Sequence, residues 1–436
     1  MKGRAPDPAR RLAWTLLREV SERDAYANLL LPRMLRESGL DARDRAFVTE
    51  LGYGTLRAQG TLDHVLARAS SRPLAEVDPP VLDALRLGAY QLLRTRIPPH
   101  AAVAATVDLV RATAGEGASR FANAVLRRVS ERTRLADPLG LAQIDDAVTR
   151  TAVETAHPAW IVEVYADALG GLDEAHAALV ADDTRPVTHL VARGIARDAL
   201  IEAVPGAAAG PWSPRAVHLT TGGDPADIAA VRDGRAAVQD EGSQLVALAL
   251  AAATAPAGPV IDLCAGPGGK SALLGAVLPD AALVCVERQP HRAALVRATV
   301  GARVVVADGR AAPVAPGTAA RVLVDAPCTG LGALRRRPEA RWRRRPEDLA
   351  ALVPLQRELL AAGLALLAPG GVLIFATCSP HRAETSDVVH AVTSADLIDV
   401  RALLPGVTGL GAGPTVQLWP HRHGTDAMFI AAFRAR

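Results

Sequence analysis

From about residue 236 onward, short apolar runs alternate with stretches of helical length, and this alternation limits the fold more than any other feature. The apolar runs are Val260–Leu263, Leu283–Glu287, Arg303–Ala307, Arg321–Val324 and Gly371–Ala376. The stretches 270–278, 290–300 and 346–367 lie between them and suit helices. Strand–helix alternation implies a parallel sheet wrapped by helices. The expected fold of 236–436 is therefore α/β and Rossmann-like, a doubly wound, mostly parallel sheet. Ligands of such a sheet bind at the carboxyl ends of its strands.

Residues 1–135 read as an all-α domain. Leu12, Leu16 and Val20 recur at helical spacing, as do Val81, Leu85 and Leu92, then Val103, Val107 and Val110. Ser38-Gly39, Arg72-Pro73, Asp78-Pro79-Pro80, Pro98-Pro99 and Gly115-Glu116-Gly117 break the runs. Five or six short helices are expected there. Residues 136–235 are expected to hold a linker and a small α+β segment. The weakly patterned stretch 131–155 reads as the linker. Ile161–Leu169 and Asp224–Arg232 look helical, and Val187–Val191 looks like a strand.

Composition excludes several classes. Half the residues are hydrophobic and 22% are charged, so wholesale disorder is ruled out. The net charge of +3 is too small for a polycation that coats nucleic acid, although local basic patches remain open. Cys264, Cys285, Cys328 and Cys378 share no metal-ligand spacing, so neither a metal site nor a disulfide framework is expected. The N-terminus is charged and lacks an apolar signal core. Pro256, Gly258 and Pro259 interrupt one long uncharged stretch, Gly242–Ile261. Pro369-Gly370-Gly371 interrupts the other, Leu359–Pro380. The expectation is a cytoplasmic monomer without a membrane partner. Lys2 and Lys270 are the only lysines among 49 basic residues. Coding bias explains the scarcity, but a lysine retained at 270 stands out.

Chemistry concentrates at strand ends. The segment Asp262-Leu263-Cys264-Ala265-Gly266-Pro267-Gly268-Gly269-Lys270-Ser271 leads from a strand through a glycine-rich turn into a helix. Glycines allow close backbone approach, and a helix N-terminus offers unpaired N–H groups. Cys264 stands where a phosphate loop needs glycine, so this is not one. Glu287 ends the next strand, 18 residues after Gly269, where an acid suits a ribose diol. Asp308 follows the third strand and could accept from an adenine amine. Together these describe a nucleoside ligand with no demand for phosphates, and S-adenosylmethionine fits better than ATP or NAD. Asp325-Ala326-Pro327-Cys328-Thr329-Gly330 ends the fourth strand, and Ala376-Thr377-Cys378-Ser379-Pro380 ends the fifth. A single cysteine is by default a small buried hydrophobe, which is the reading kept for Cys285. Two thiols at adjacent strand ends, beside an aspartate, suggest a nucleophilic site instead.

These motifs in this order resemble the Nol1/Nop2/Sun family of RNA cytosine-5 methyltransferases. Val238-Gln239-Asp240-Glu241-Gly242-Ser243-Gln244 is similar to that family's segment before the cofactor loop. The N-terminal segments Ala25–Leu31 and Phe121–Arg128 resemble the NusB RNA-binding fold. The pairing is similar to the Fmu/Sun (RsmB) group, which acts on small-subunit (16S) ribosomal RNA. The resemblance implies a NusB-like RNA-binding domain and S-adenosylmethionine as cofactor. It also implies methyl transfer to cytosine C5 through a covalent cysteine–C6 adduct, with RNA rather than DNA as partner. Cys378 would attack, Cys328 would assist release, and Asp325 would hold the cytosine edge and lie near the cofactor. Cys264, Ala265, Gly266, Pro267, Gly268, Gly269, Lys270, Glu287 and Asp308 would line the cofactor site. Placement alone does not rank the two cysteines. Thr329 replaces a frequent family serine, and Glu384-Thr385 stands where the family commonly shows Glu-Asn.

Seven arginines crowd 335–345 around Trp342. Following directly on the Asp325–Gly330 motif, this run is expected to border the crevice and contact RNA. Two other readings compete. A DNA cytosine-5 methyltransferase would use the Pro-Cys cysteine without the Thr-Cys partner, so Cys378 argues against it. An RNA-binding adaptor with a decayed second domain would not keep Asp262, Lys270, Asp325 and both cysteines.

Overall fold

The computed structural model describes residues 5–221 and 223–436. Two compact units result, and they do not follow chain order. One comprises Met1–Thr184 with Leu334–Arg343, the other Arg185–Ala333 with Arg344–Arg436.

The first unit is helical. Pro8–Arg23 starts where Asp7 accepts a hydrogen bond from the Arg10 N–H, with a proline in its first turn. Asp41 caps Ala42–Arg57 in the same way. Ala27–Glu37, Gln59–Ala69 and Pro79–Arg94 complete the layer under the long run Pro99–Arg132. That run breaks at Gly115, whose φ of 85° is open to glycine without strain. Leu16, Leu51, Leu62, Leu85, Leu109 and Leu126 are fully buried in its core.

The segment 131–155, expected as a linker, carries the helix Ala147–Thr155, and the compact units divide after Thr184, a different place from the expected domain limits of 135 and 235. Ala147–Thr155, Ala159–Leu169 and Leu172–Asp183 are helices of this same unit, and the division falls after Thr184. Ala147–Thr155 escaped notice because its buried face is only Thr151, Ala152 and Thr155, which leave almost no apolar periodicity.

The arginine run is corrected as well, because 334–343 returns to the helical unit. Arg341 is fully buried. Its guanidinium donates to the carbonyls of Arg57 (2.8 Å), Ala156 (3.3 Å) and Asp182 (2.8 Å), and lies 3.4 Å from the Asp183 carboxylate. Arg343 donates to the carbonyls of Val20, Asp24 and Ala25. Glu339 accepts from the Ala27 N–H at 3.3 Å. Trp342 occupies the space over Gly60, where a Cβ would meet its ring at 2.5 Å. Arg335 is buried too, at 7% exposure. These side chains pin a returning segment into the helical unit, so the run as a whole is not a free basic patch.

The second unit carries both sheets. Thr188–Ala192 (β1), Ala207–Ala209 (β2), Ala216–Leu219 (β3) and Ala236–Val238 (β4) form a small antiparallel sheet of order β2-β3-β1-β4. Val260–Asp262 (β5), Leu283–Glu287 (β6), Arg303–Val306 (β7), Ala319–Asp325 (β8) and Leu367–Thr377 (β9) are the strands that the alternation predicts. Ala395–Ile398 (β10), Val416–Gln417 (β11) and Phe429–Ala435 (β12) were not foreseen. The order is β10-β12-β9-β8-β5-β6-β7, with β11 on β12. Pairs among β5 to β9 are parallel and those of β12 antiparallel. The chain winds one way through β6 and β7 and the other way through β8 and β9. The crevice therefore opens at the carboxyl ends of β5 and β8.

Helices cover both faces. Pro346–Leu366 is long and apolar enough to cross a membrane by length and composition. In the structure it lies on β8 and β9, where a Cβ at Gly363 would meet Leu373 at 2.7 Å and Val324 at 3.0 Å. Only glycine permits that approach.

Arg341→Ala strands three buried carbonyls, and losing one partner of a buried pair costs about 3–5 kcal/mol. The melting temperature of the helical unit should fall by on the order of 10 °C in calorimetry. Arg341→Lys should restore little, because an ammonium lacks the guanidinium fork. An unchanged melting curve for Arg341→Ala would refute the pinning role.

Candidate active site

The site grows from the carboxyl ends of β5, β6, β8 and β9. Asp262, 1% exposed, ends β5 and organises the glycine turn. It accepts from the Cys264 N–H at 3.2 Å and from the Ser271 hydroxyl at 2.5 Å. Burial pushes its carboxyl up to about 6 against the pull of the Ser271 hydrogen bond. Burial also raises the Cys264 thiol well above its ordinary value, so Cys264 is no nucleophile. Cys285 is fully buried and its thiol is pushed up to about 12, again by burial.

Glu287 closes the turn from β6. Its Oε2 accepts from the Gly266 N–H (3.0 Å) and its Oε1 from the Gln289 N–H (2.8 Å). A Cβ at Gly266 would lie 2.3 Å from Glu287 Oε2, so glycine keeps this space clear. Buried Gln239 lies beside Gly269, 3.8 Å from where its Cβ would be, and its Oε1 has no hydrogen-bond partner. An acid at a strand end, a turn without side chains and an unpartnered buried acceptor suit a nucleoside bearing a polar amino-acid tail. Asp308 follows β7 but is held by Arg310, through both the backbone N–H (3.0 Å) and the guanidinium (2.7 Å). Those bonds lower its carboxyl to about 2. A ligand amine there has to share Asp308 with Arg310.

Lys270 leaves the first helical turn and reaches Asp325 at the end of β8, with Nζ 2.7 Å from Oδ2. Burial works against its charge, but the Asp325 carboxylate outweighs burial, and the ammonium is held above its usual value. Lys270 is therefore a fixed cation, and it leaves Oδ1 of Asp325 free of that bond.

The two cysteine loops follow adjacent parallel strands, with Asp325 paired to Ala376. The Cys328 and Cys378 Sγ atoms are 3.5 Å apart. The hydrogen bond with Cys328 lowers the Cys378 thiol despite its burial. The same bond, with burial, pushes Cys328 well up. The fixed charges are mixed: Glu384 disfavours a thiolate at Cys328, while at Cys378 Asp325 and Asp426 oppose a thiolate and Lys270 favours one. These shifts favour a thiolate at Cys378 over one at Cys328.

Sequence reading named Glu384 only through the Glu384-Thr385 pair that stands where the family shows Glu-Asn, and did not find its hydrogen-bond role. It is fully buried. Its Oε1 accepts from the Thr329 N–H (2.8 Å) and the Gln356 amide (3.0 Å). Its Oε2 accepts from Ser379 Oγ (2.6 Å) and from the Thr329 hydroxyl. One carboxylate thus ties both cysteine loops to the helix behind them, and four donors offset its burial. Thr329 uses the hydroxyl it shares with serine, which explains why that departure is harmless. Thr385, in place of asparagine, donates to the His381 carbonyl instead (3.0 Å). Gly332 completes the tie. Its N–H donates to the Cys378 carbonyl (2.9 Å) and its carbonyl accepts from Ala427 (2.8 Å).

Apart from this site, His189, His218 and Glu241 are a group with potential metal ligands. The imidazoles stack in parallel, 4.0 Å apart, and Glu241 already accepts from His218 and from two backbone N–H groups. Parallel rings do not converge their lone pairs on one ion, and the cluster pins β1 and β3 to the following helix.

Comparison with known proteins agrees with this architecture. The family model described as 16S rRNA methyltransferase RsmB/F matches residues 248–434, and the NusB family model matches 7–131. A putative methyltransferase of Mycobacterium tuberculosis (strain ATCC 25618 / H37Rv) is 53% identical, over 98% of this chain and 96% of its own length. The chain belongs to the RsmB/F methyltransferase family. The probable ribosomal RNA small subunit methyltransferase B of Bacillus subtilis (strain 168), another RsmB/F relative, is 31% identical over 98% of both chains. The crystal structure of PH0851 shares the fold with a TM-score of 0.81, at 21% identity, over 99% of this chain and 100% of that one. The structure of NSun6 from Pyrococcus horikoshii with SFG aligns at a TM-score of 0.54 and 19% identity, over 64% and 98%.

The opposite shifts of the two thiols predict the order of labelling. At neutral pH iodoacetamide should alkylate Cys378 before Cys328, read by peptide mass spectrometry. The rate at Cys378 should fall as pH drops through a midpoint below the ordinary thiol value of about 8.5. Cys328→Ala removes the donor and should move that midpoint upward. Faster labelling of Cys328, or an unmoved midpoint, would contradict the assignment.

Proposed function

We propose that this RsmB/F methyltransferase uses S-adenosylmethionine to methylate C5 of a cytosine in 16S ribosomal RNA, through a covalent adduct between Cys378 and C6. The observation that carries this reading is the thiol pair, with the Cys328 and Cys378 Sγ atoms 3.5 Å apart at the ends of adjacent strands. A methyltransferase acting on oxygen or an amine has no use for such a pair. Cytosine C5 needs one, because it is a poor nucleophile until a thiolate adds at C6.

The chain's residues divide the work. The Cys378 thiolate forms the S–C6 bond, and ring electron density moves toward C5 and N3. Asp325, fixed by Lys270, accepts a hydrogen bond from the N3/N4 edge and so favours that shift. Glu287, the glycine turn and Gln239 hold the cofactor, which when bound supplies an electrophilic methyl group. After C5 is methylated, its proton passes to water, the C5–H electron pair restores the C5=C6 double bond, and the S–C6 bond breaks with its electron pair returning to Cys378. Cys328 sits beside that bond and assists the release. Asp308 contributes at the adenine end, in competition with Arg310. The relatives' description as small-subunit ribosomal RNA methyltransferases supports the substrate class, and the SFG in the NSun6 structure supports the cofactor.

Variants separate the cysteine roles. Cys378→Ala should abolish methyl transfer, lowering the rate by at least about 10³-fold, and should form no adduct. Cys328→Ala should accumulate an RNA-linked protein that survives denaturing electrophoresis and disappears with nuclease. The double variant should form none, because addition precedes release. If Cys378→Ala traps RNA and Cys328→Ala does not, the roles are exchanged.

A further inference from the structure

We infer that Tyr26, with Arg337 and Arg343, forms a stacking platform for an unpaired nucleotide of the substrate RNA. The proposal rests on the RNA substrate just argued and adds a named contact to it.

Aromatic residues make up only 3% of this chain. Among the described residues Tyr26 is the one exposed aromatic, at 45%. It stands immediately before the helix Ala27–Glu37, and Leu29 beside it is 71% exposed. Two guanidiniums flank its ring, Arg343 at 5.5 Å and Arg337 at 5.7 Å from the centroid. They differ in kind. Arg343 is fixed by the carbonyls of Val20 (2.7 Å), Asp24 (3.0 Å) and Ala25 (2.7 Å), so it sets the edge of the platform. Arg337 is exposed.

An exposed ring costs an apolar surface in water, and the helical unit has a full core without it. Aromatic faces and guanidinium planes are the surfaces on which unstacked RNA bases lie, and guanidiniums also bind the adjoining phosphates. The combination suits a polyanion carrying flat bases, and single-stranded RNA is that polymer.

The test compares Tyr26→Ala, Tyr26→Phe and Arg337→Ala in the full chain, by fluorescence anisotropy with a 16S ribosomal RNA transcript at several salt concentrations. Loss of one base stack corresponds to a roughly 5- to 150-fold weaker affinity. Tyr26→Ala should fall in that range with an unchanged salt slope, and Tyr26→Phe should stay within about twofold. Arg337→Ala should reduce the salt slope by about one. S-adenosylhomocysteine affinity and melting temperature should match the unaltered protein in all three. Full RNA affinity in Tyr26→Ala, or an equal loss in Tyr26→Phe, overturns the platform while leaving the proposed reaction standing. A loss of melting temperature that parallels the affinity loss assigns Tyr26 a structural role and also overturns it. Failure of the unaltered protein to bind the transcript overturns both readings.

Discussion

The site depends on one buried carboxylate. Glu384 accepts hydrogen bonds from Thr329, Ser379 and Gln356, and so fixes the loops that follow β8 and β9. Without it, nothing in the parallel pairing of those strands dictates where their loops go. With it, two thiols from residues 50 positions apart stand 3.5 Å from each other. Hydrogen bonding to Cys378 and burial raise the Cys328 thiol, and the Glu384 charge adds to both. At Cys378, Asp325 and Asp426 oppose a thiolate and Lys270 favours one. Geometry and charge thus come from the same few residues.

The parallel half of the catalytic sheet was legible because its strands are buried on both faces and read as short apolar runs between turns. β5 to β9 lie within a few residues of their expected positions. The glycine turn, Glu287 and Asp325 were legible because strand ends in such sheets are where ligands bind. The antiparallel strands β10 to β12 were not. β10 and β11 are short, and nothing local in Phe429–Ala435 states that it pairs antiparallel with β9. That pairing nonetheless matters to the site, because it brings Ala427 against Gly332 behind the Cys378 loop.

The arginine run shows where charge reading fails. In sequence, Arg341 and Arg337 are equivalent members of a basic stretch. In the structure Arg341 ends on buried carbonyls and Arg337 ends in water beside Tyr26. A guanidinium satisfies either environment, so only tertiary packing distinguishes them. Glu384 was legible as a position but not in its role, because its four donors belong to three residues in three separate segments.

The central claim is that this chain places methyl groups on cytosine C5 of 16S ribosomal RNA by means of Cys378. Bisulfite sequencing of 16S RNA tests it most directly, in cells lacking the gene and in cells complemented with the unaltered or the Cys378→Ala protein. The account predicts a protected cytosine that becomes convertible when the gene is lost, and whose protection returns only with the unaltered protein. An identical protection pattern in all three strains, or restoration by Cys378→Ala, would contradict it.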